Sequence, residues 1–338
     1  MNVLHVITKS EVGGAQTWVR DQIKLFKDDF NHFIVTNEPG WLTDNTKVND
    51  TLFEKKLESR FSIVTLIKIL SFIKKNKIDL IIASSANAGL YSRLLKLFVS
   101  SKIIYVSHGW SCLYNGGKLK NIFVFIEKVL SYFSDAILCV SEMDLENAKN
   151  KIGIASDKLV CIRNSVFPQT LSSPKTNIDL FKVIFLGRLA APKRVDLLIE
   201  SVQEIDNINL DIIGNGPLKD TYATPDNVRF LGEIKNFDQF SDYDIFILLS
   251  DSEGMPMAAL EAASSGLPMI LSDVGGCPEL IKDNGILVEN NLDSVKHALS
   301  DIINNYKTYS HNALLCASQY DLLNQKKYYL NLYQSFKL

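Results

Sequence analysis

Residues 244–268, DIFILLSDSEGMPMAALEAASSGLP, decide how this chain folds. Residues 244–249 form an apolar run of strand length, and a short polar loop follows. A helix is expected from near Pro256 to just before Gly266. Proline suits the first helical turn, where its missing N–H costs nothing, and the Gly266-Leu267-Pro268 run marks the stop. Glu253 in the loop and Glu261 within the helix bracket the helix start. Free amides there carry partial positive charge and favour phosphate, whereas a carboxylate beside them accepts hydrogen bonds from hydroxyls. The local chemistry therefore asks for a ligand with both groups, which describes a sugar nucleotide. Taken alone, the same residues also read as an ordinary loop glutamate and a solvated helix position, so the rest of the chain has to decide.

With 338 residues the chain has room for two domains, each with its own core. A hydrophobic content of 46% with 22% charged residues is that of a soluble globular protein. No apolar run reaches the ~20 residues that span a bilayer. The start, MNVLHVITKSEVGG, lacks the basic residues and cleavage site of a signal peptide. Cys112, Cys139, Cys161, Cys277 and Cys316 are scattered and form no CxxC pair, so neither a zinc site nor a disulfide framework is expected. The expected compartment is the cytoplasm. Net charge is −2, but residues 1–168 hold 22 Lys/Arg against 16 Asp/Glu (+6), and residues 169–338 hold 14 against 22 (−8). A basic half points to an anionic surface such as a membrane or a lipid phosphate, although unevenly spread solvated charge explains it equally well. No nucleic-acid partner is expected.

Residues 2–7 read as a buried strand, followed by Gly13-Gly14 and a helix over 15–27 on which Trp18, Val19, Ile23 and Phe26 repeat at helical spacing. Strand, glycine pair and helix let backbone approach a phosphate. The third glycine of the dinucleotide fingerprint is missing, which disfavours a dehydrogenase. Strands are expected at 32–36, 79–83, 102–107, 135–141 and 159–162, and helices at 62–75 and 87–98. The strand 102–107 ends in His108-Gly109-Trp110. A histidine at the carboxyl end of a parallel strand lies where open α/β sheets bind ligands, so His108 is the candidate among five. His5 reads as core, and His32, His297 and His311 as surface or strand-start residues. Residues 118–133, KLKNIFVFIEKVLSYF, form a helix apolar on most faces with lysines at one end. Packing on the sheet is the preferred reading and docking on a membrane surface the other. Residues 168–178, PQTLSSPKTNI, read as an interdomain linker.

The second half repeats the pattern. A strand at 182–186 leads into Gly187-Arg188-Leu189 and Lys193-Arg194, then a helix over 195–204. Arg188 and Lys193 place two cations in a loop after a strand, which suits a pyrophosphate leaving group. Gly214-Asn215-Gly216 and Gly232-Glu233-Ile234 follow the next two strands, and Gly275-Gly276 follows the strand at 269–271. A last strand at 285–288 precedes helices, the final one over 319–336. Asp242-Tyr243-Asp244 matches a metal-holding pattern but reads as structural, because Asp244 opens a buried strand.

In this order and spacing, Gly13-Gly14, His108-Gly109, Ser141, Asn164, Gly187-Arg188-Leu189 with Lys193, Gly214-Asn215-Gly216, Glu253-x7-Glu261, Gly275-Gly276 with Glu279, and 285–288 resemble the retaining GT-B glycosyltransferases of family four. The resemblance implies an α/β fold of two doubly wound, Rossmann-like domains facing across a cleft. The acceptor-side domain would span 1–168 and the nucleotide-sugar domain 179–318, with a helix over 319–338 crossing back. It implies that Arg188 and Lys193 hold the pyrophosphate, with Gly13, Gly14, Gly187 and Gly214 close to it. Glu253 and the backbone of Gly254, Met255, Pro256 and Met257 would surround the transferred sugar, Met255 and Met257 being a departure from the usual residues there. His108 would touch its far side, Glu261 the ribose, and Gly232 to Ile234 the base. Anomeric configuration would be kept by front-face attack, with no protein nucleophile, no metal and no cofactor. The expected donor is a UDP-sugar, with a GDP-sugar second. The expected acceptor is a glycan or lipid-linked glycan of bacterial surface polysaccharide, met at the inner face of the cell membrane. Two other readings stand: a nucleotide-sugar epimerase on the same fold, and a non-catalytic partner subunit.

Overall fold

The computed structural model describes residues 1–335 apart from 60, 115, 116, 174, 176, 177 and 223. The chain divides into two compact units, Met1–Arg163 with Gln325–Leu338, and Asn164–Asn324.

The first unit is built on seven parallel strands: β1 (Asn2–Val6), β2 (Asn31–Thr36), β3 (Asp50–Phe53), β4 (Leu80–Ala83), β5 (Lys102–Ser107), β6 (Ala136–Cys139) and β7 (Leu159–Cys161). Their order is β3-β2-β1-β4-β5-β6-β7, a doubly wound arrangement. LIIA of β4 and AILC of β6 are buried throughout, as strands covered on both faces must be. The edge strand β3, DTLF, is only partly buried; its polar surroundings hide it from a hydrophobicity reading. The helix Ile63–Lys75 is capped by Ser62, whose Oγ accepts from the Thr65 amide at 3.4 Å, and it buries Ile69, Phe72 and Ile73. The helix Gly14–Leu25 buries Trp18, Val19 and Ile23. Against it lies the final helix, Leu322–Gln334, which enters this unit at Gln325. Trp18 Nε1 donates to Tyr329 Oη at 3.4 Å, and Tyr333 Oη donates to Gln22 Oε1 at 2.9 Å. Position 336, expected in this helix, lies outside the described residues.

One expectation is narrowed here and one is corrected. His32, read as a surface or strand-start residue, stands second in β2 and is buried: its Nδ1 lies 3.2 Å from His5 Nε2, because β2 pairs directly with β1. The helix over 118–133 runs as Lys120–Ser131, and its apolar side does not face the sheet. Glu127 is turned inward instead, where it receives both arms of the buried Arg93 guanidinium at 2.8 and 3.3 Å.

The second unit has six parallel strands: β8 (Phe181–Leu186), β9 (Ile208–Ile213), β10 (Val228–Gly232), β11 (Ile245–Leu248), β12 (Met269–Ser272) and β13 (Gly285–Val288). Their order is β10-β9-β8-β11-β12-β13, so the winding reverses between β8 and β11. Asp244, just before β11, accepts from the Lys182 amide at 2.8 Å and from Lys175 Nζ at 2.6 Å, a tether across the sheet. Residues 168–178 run along this unit: Ser172 donates from its amide to Ser265 O at 2.8 Å and from Oγ to Gly266 O at 3.2 Å. The change of unit falls earlier, at Arg163/Asn164. Positions 174, 176 and 177 of that stretch are outside the described residues. No helix among the described residues is long and apolar enough to cross a membrane.

Candidate functional site

In open α/β sheets ligands collect at the carboxyl ends of the strands, where the winding reverses. In the second unit that point is the gap between β8 and β11, and both adjoining loops carry charge. The loop after β8 and the one after β11 are strapped together. Arg194 N donates to Leu249 O and Asp251 N to Pro192 O, each at 2.9 Å, and Lys193 bridges Ser250. The strap brings Lys193 Nζ onto Glu253 Oε1 as an ion pair, with side chains 16% and 11% exposed. Arg188 projects from the end of β8, exposed and without an ion-pair partner among the described residues. Arg194 adds no free charge, because it pairs with Asp196 at 3.1 Å and Asp251 at 3.4 Å. An open pocket of about 330 Å³ is lined by Lys193, Arg194, Leu218 and Tyr222. Neither Arg188 nor Glu253 lines it.

Glycines let these loops meet. A side chain at Gly214 would collide with the carbonyl oxygen of Gly187, and one at Gly275 with that of Glu253. Gly276 N donates to Gly254 O at 2.7 Å, so the loop after β12 clamps the backbone of Glu253 and Gly254. Gly214 N donates to Gly232 O at 2.8 Å, which ties the ends of β9 and β10. Ile234, beyond Gly232, is exposed.

The helix Met257–Ser264 starts at Pro256, which adopts φ −70° and ψ 120°, and no side chain caps it. Its first amides have no side-chain acceptor among the described residues. Met255 and Met257 are buried, and Glu261 is half-buried on the helix. Sequence reading gave Asn164 no role. Its Nδ2 lies 3.1 Å from Met257 Sδ, and its Oδ1 is buried without a partner among the described residues. The two residues are 93 apart in sequence, a separation that no local pattern encodes. Burial, and then the Glu253 charge, push the Cys277 thiol up to about 12, leaving it unreactive at neutral pH.

In the first unit, Gly13 and Gly14 begin the helix Gly14–Leu25, again with no side-chain cap. His108 follows β5. Its ring meets Trp18 edge-on at 5.4 Å, and its Nε2 is buried with no partner among the described residues. Burial pulls its pKa down to about 4, so the imidazole is neutral at pH 7. Gly109, at φ +99°, donates its amide to Asp144 Oδ2 at 3.0 Å, and Trp110 Nε1 donates to Asp144 O at 2.9 Å. That aspartate fixes the loop that carries His108. Among the described residues no cluster of His, Cys, Asp or Glu could hold a metal ion.

Two parallel α/β units of this kind define a GT-B protein, and comparison with known structures agrees. Anabaena Alr3699/HepE in complex with UDP-glucose superposes with a TM-score of 0.83 at 17% identity, over 99% of this chain and 100% of that one. The lipopolysaccharide outer core galactosyltransferase WaaB gives 0.75 at 20% identity, over 99% of each chain. Residues 12–169 match Glycosyltransferase Family 4, and residues 181–305 match Glycosyl transferases group 1. The O-antigen biosynthesis glycosyltransferase WbnH of Escherichia coli is 43% identical over 335 residues, covering 98% of each chain. The UDP-Gal:alpha-D-GlcNAc-diphosphoundecaprenol alpha-1,3-galactosyltransferase of Escherichia coli is 26% identical, over 88% of this chain and 87% of its own length. This chain belongs to glycosyltransferase family four and has the GT-B fold.

Proposed function

We propose that the chain transfers a sugar from a UDP-sugar to a lipid-linked glycan of O-antigen type, with retention of anomeric configuration and without metal. The observation that carries the reading is the Lys193–Glu253 pair at the reversal of the second sheet, with Lys193 in the same loop as Arg188, which has no ion-pair partner among the described residues. Two cations are what a pyrophosphate leaving group requires. Lys193 would exchange its carboxylate partner for the donor phosphate, releasing Glu253 to accept from sugar hydroxyls. The uncapped start of Met257–Ser264 adds backbone donors, and Glu261 would accept from the ribose. Gly187 and Gly214 let main chain approach the diphosphate, and Gly232 with Ile234 would border the base. In the first unit, Gly13 and Gly14 supply uncapped amides, and neutral His108 offers its unused Nε2 to a hydroxyl. With no protein nucleophile in this scheme, the leaving phosphate takes the acceptor proton, and catalysis is positioning with charge stabilisation. A UDP donor and a diphospholipid acceptor are supported by what HepE is bound to and by what the galactosyltransferase relative is named for, and O-antigen assembly by the name of WbnH.

The test is transfer from a panel of UDP-sugars and GDP-sugars to a diphosphoprenyl-linked acceptor in excess EDTA, with the new linkage read by proton NMR. An α-linked product from an α-linked UDP-sugar supports the reading. An inverted linkage overturns retention, and a requirement for added metal overturns that part. Donor epimerised without transfer identifies an epimerase, and binding without turnover a partner subunit.

A further inference from the structure

The helix Lys120–Ser131 is inverted with respect to its own unit. Val124, Glu127, Leu130 and Ser131 face inward, with Glu127 locked to Arg93, whose guanidinium also lies 4.1 Å over the Tyr105 ring. Facing out are Ile122 (55% exposed), Phe125 (65% exposed), Ile126 and Val129, extended by Leu119 and Tyr132 (67% exposed). Twelve residues make this apolar ridge about 18 Å long. Monomeric soluble proteins seldom leave such a continuous strip uncovered. The helix Ile63–Lys75 is similar, with Ile63, Val64 and Ile67 exposed, and the helix Ala86–Leu95 packs against both.

Four lysines border the ridge. Lys120 and Lys128 on the helix, and Lys149 and Lys151 on the adjoining segment Ala148–Ile152, are exposed and have no ion pair among the described residues. Glu127, the helix's one acid, points inward. We propose that this face docks on an anionic lipid bilayer, with the ridge sunk into the headgroup–acyl boundary and the lysines against lipid phosphates. A second copy of the chain fits less well, because a two-fold axis through the ridge would bring the same unpaired lysines together. The surface is independent of the transfer reaction and is tested on vesicles that carry no acceptor, so its failure leaves the donor reading untouched.

The experiment is co-sedimentation of the full chain with neutral phosphatidylcholine vesicles and with vesicles holding about 30% phosphatidylglycerol. The expected result is binding about tenfold or more tighter to the anionic vesicles. Ile122→Ser with Phe125→Ser should abolish binding, and Lys120→Gln with Lys128→Gln should remove the preference for anionic lipid, both with an unchanged thermal transition. Absence of wild-type binding to either vesicle overturns the proposal, as does equal binding to both. So does a wild-type dimer by light scattering that the serine variant converts to monomer. If a variant fails to fold, the wild-type comparison still decides.

Discussion

Lys193 and Glu253, 60 residues apart, form an ion pair because the loops after β8 and β11 are tied together by main-chain hydrogen bonds through Pro192, Arg194, Leu249 and Asp251. The pairing is a product of topology, since β8 and β11 are neighbours in the sheet while β9 and β10 intervene in the chain. It sets a cation and a hydrogen-bond acceptor side by side.

Under the proposed function Lys193→Ala would remove a phosphate contact, and it strands a largely buried carboxylate. Transfer should fall about 10²-fold or more, by analogy with loss of one preorganised charge-stabilising donor. Stability should drop by about 1–3 kcal/mol. Glu253→Gln should keep the fold and lose transfer, with UDP binding retained. Kinetics, UDP titration and thermal unfolding of the two variants separate these effects. Full activity in either variant removes the pair from the site.

Gly275→Ala and Gly232→Ala should differ sharply. Both glycines have left-handed φ, +54° and +74°, so each substitution carries strain of about 1 kcal/mol. At Gly232 the new methyl meets open space, whereas at Gly275 it strikes the Glu253 carbonyl. Gly232→Ala should leave the melting temperature within a few degrees. Gly275→Ala should lower it further and impair transfer by shifting Glu253. Equal effects would contradict the clamp.

Stability should fall as pH drops below about 6.5, the ordinary histidine value. Burial lowers the pKa of His5, with His32 adding to the effect, and it also lowers that of His32 and, to about 4, that of His108. The unfolded chain therefore binds protons that the folded one refuses. The stabilisation is complete above pH 6.5 and is lost on acidification, the His108 share continuing towards pH 4. Melting temperatures between about pH 7.5 and 5.5 should decline, and His5→Gln should flatten the slope. A rising curve would reverse the sign.

Arg93 is fully buried, so Glu127→Ala should cost about 3–5 kcal/mol by leaving a guanidinium without its partner. Arg93→Met with Glu127→Leu should recover much of the loss. Chemical denaturation measures both. A near-neutral Glu127→Ala would show that the pair does not anchor the helix.

Much of this was legible in the sequence. The continuous apolar runs of β4, β6 and β11 announce a parallel sheet, because strands buried on both faces have no polar alternation. Pro256 and Gly266 bracket the helix Met257–Ser264 closely, since backbone limits at both residues are local. The edge strand β3 escaped because its partly buried DTLF carries no hydrophobic pattern. The orientation of Lys120–Ser131 escaped because hydrophobicity alone turns apolar residues inward, and only Arg93, 34 residues from Glu127, reverses it. Arg188, Lys193, Glu253 and Glu261 were singled out as candidates from motif spacing. Asn164 against Met257, the clamp by Gly275 and Gly276, and the His5–His32 contact depend on strand neighbours that spacing does not reveal.

The most direct test is thermal unfolding in EDTA with UDP, GDP, ADP or CMP, for wild type and for Lys193→Ala. At about 100 times its dissociation constant a ligand adds about 2.7 kcal/mol of stability. The account predicts that UDP raises the wild-type transition, that the other nucleotides do so less, and that Lys193→Ala loses most of the shift. No response to any nucleotide, or an undiminished UDP shift in Lys193→Ala, would contradict a donor site built on Lys193 and Glu253.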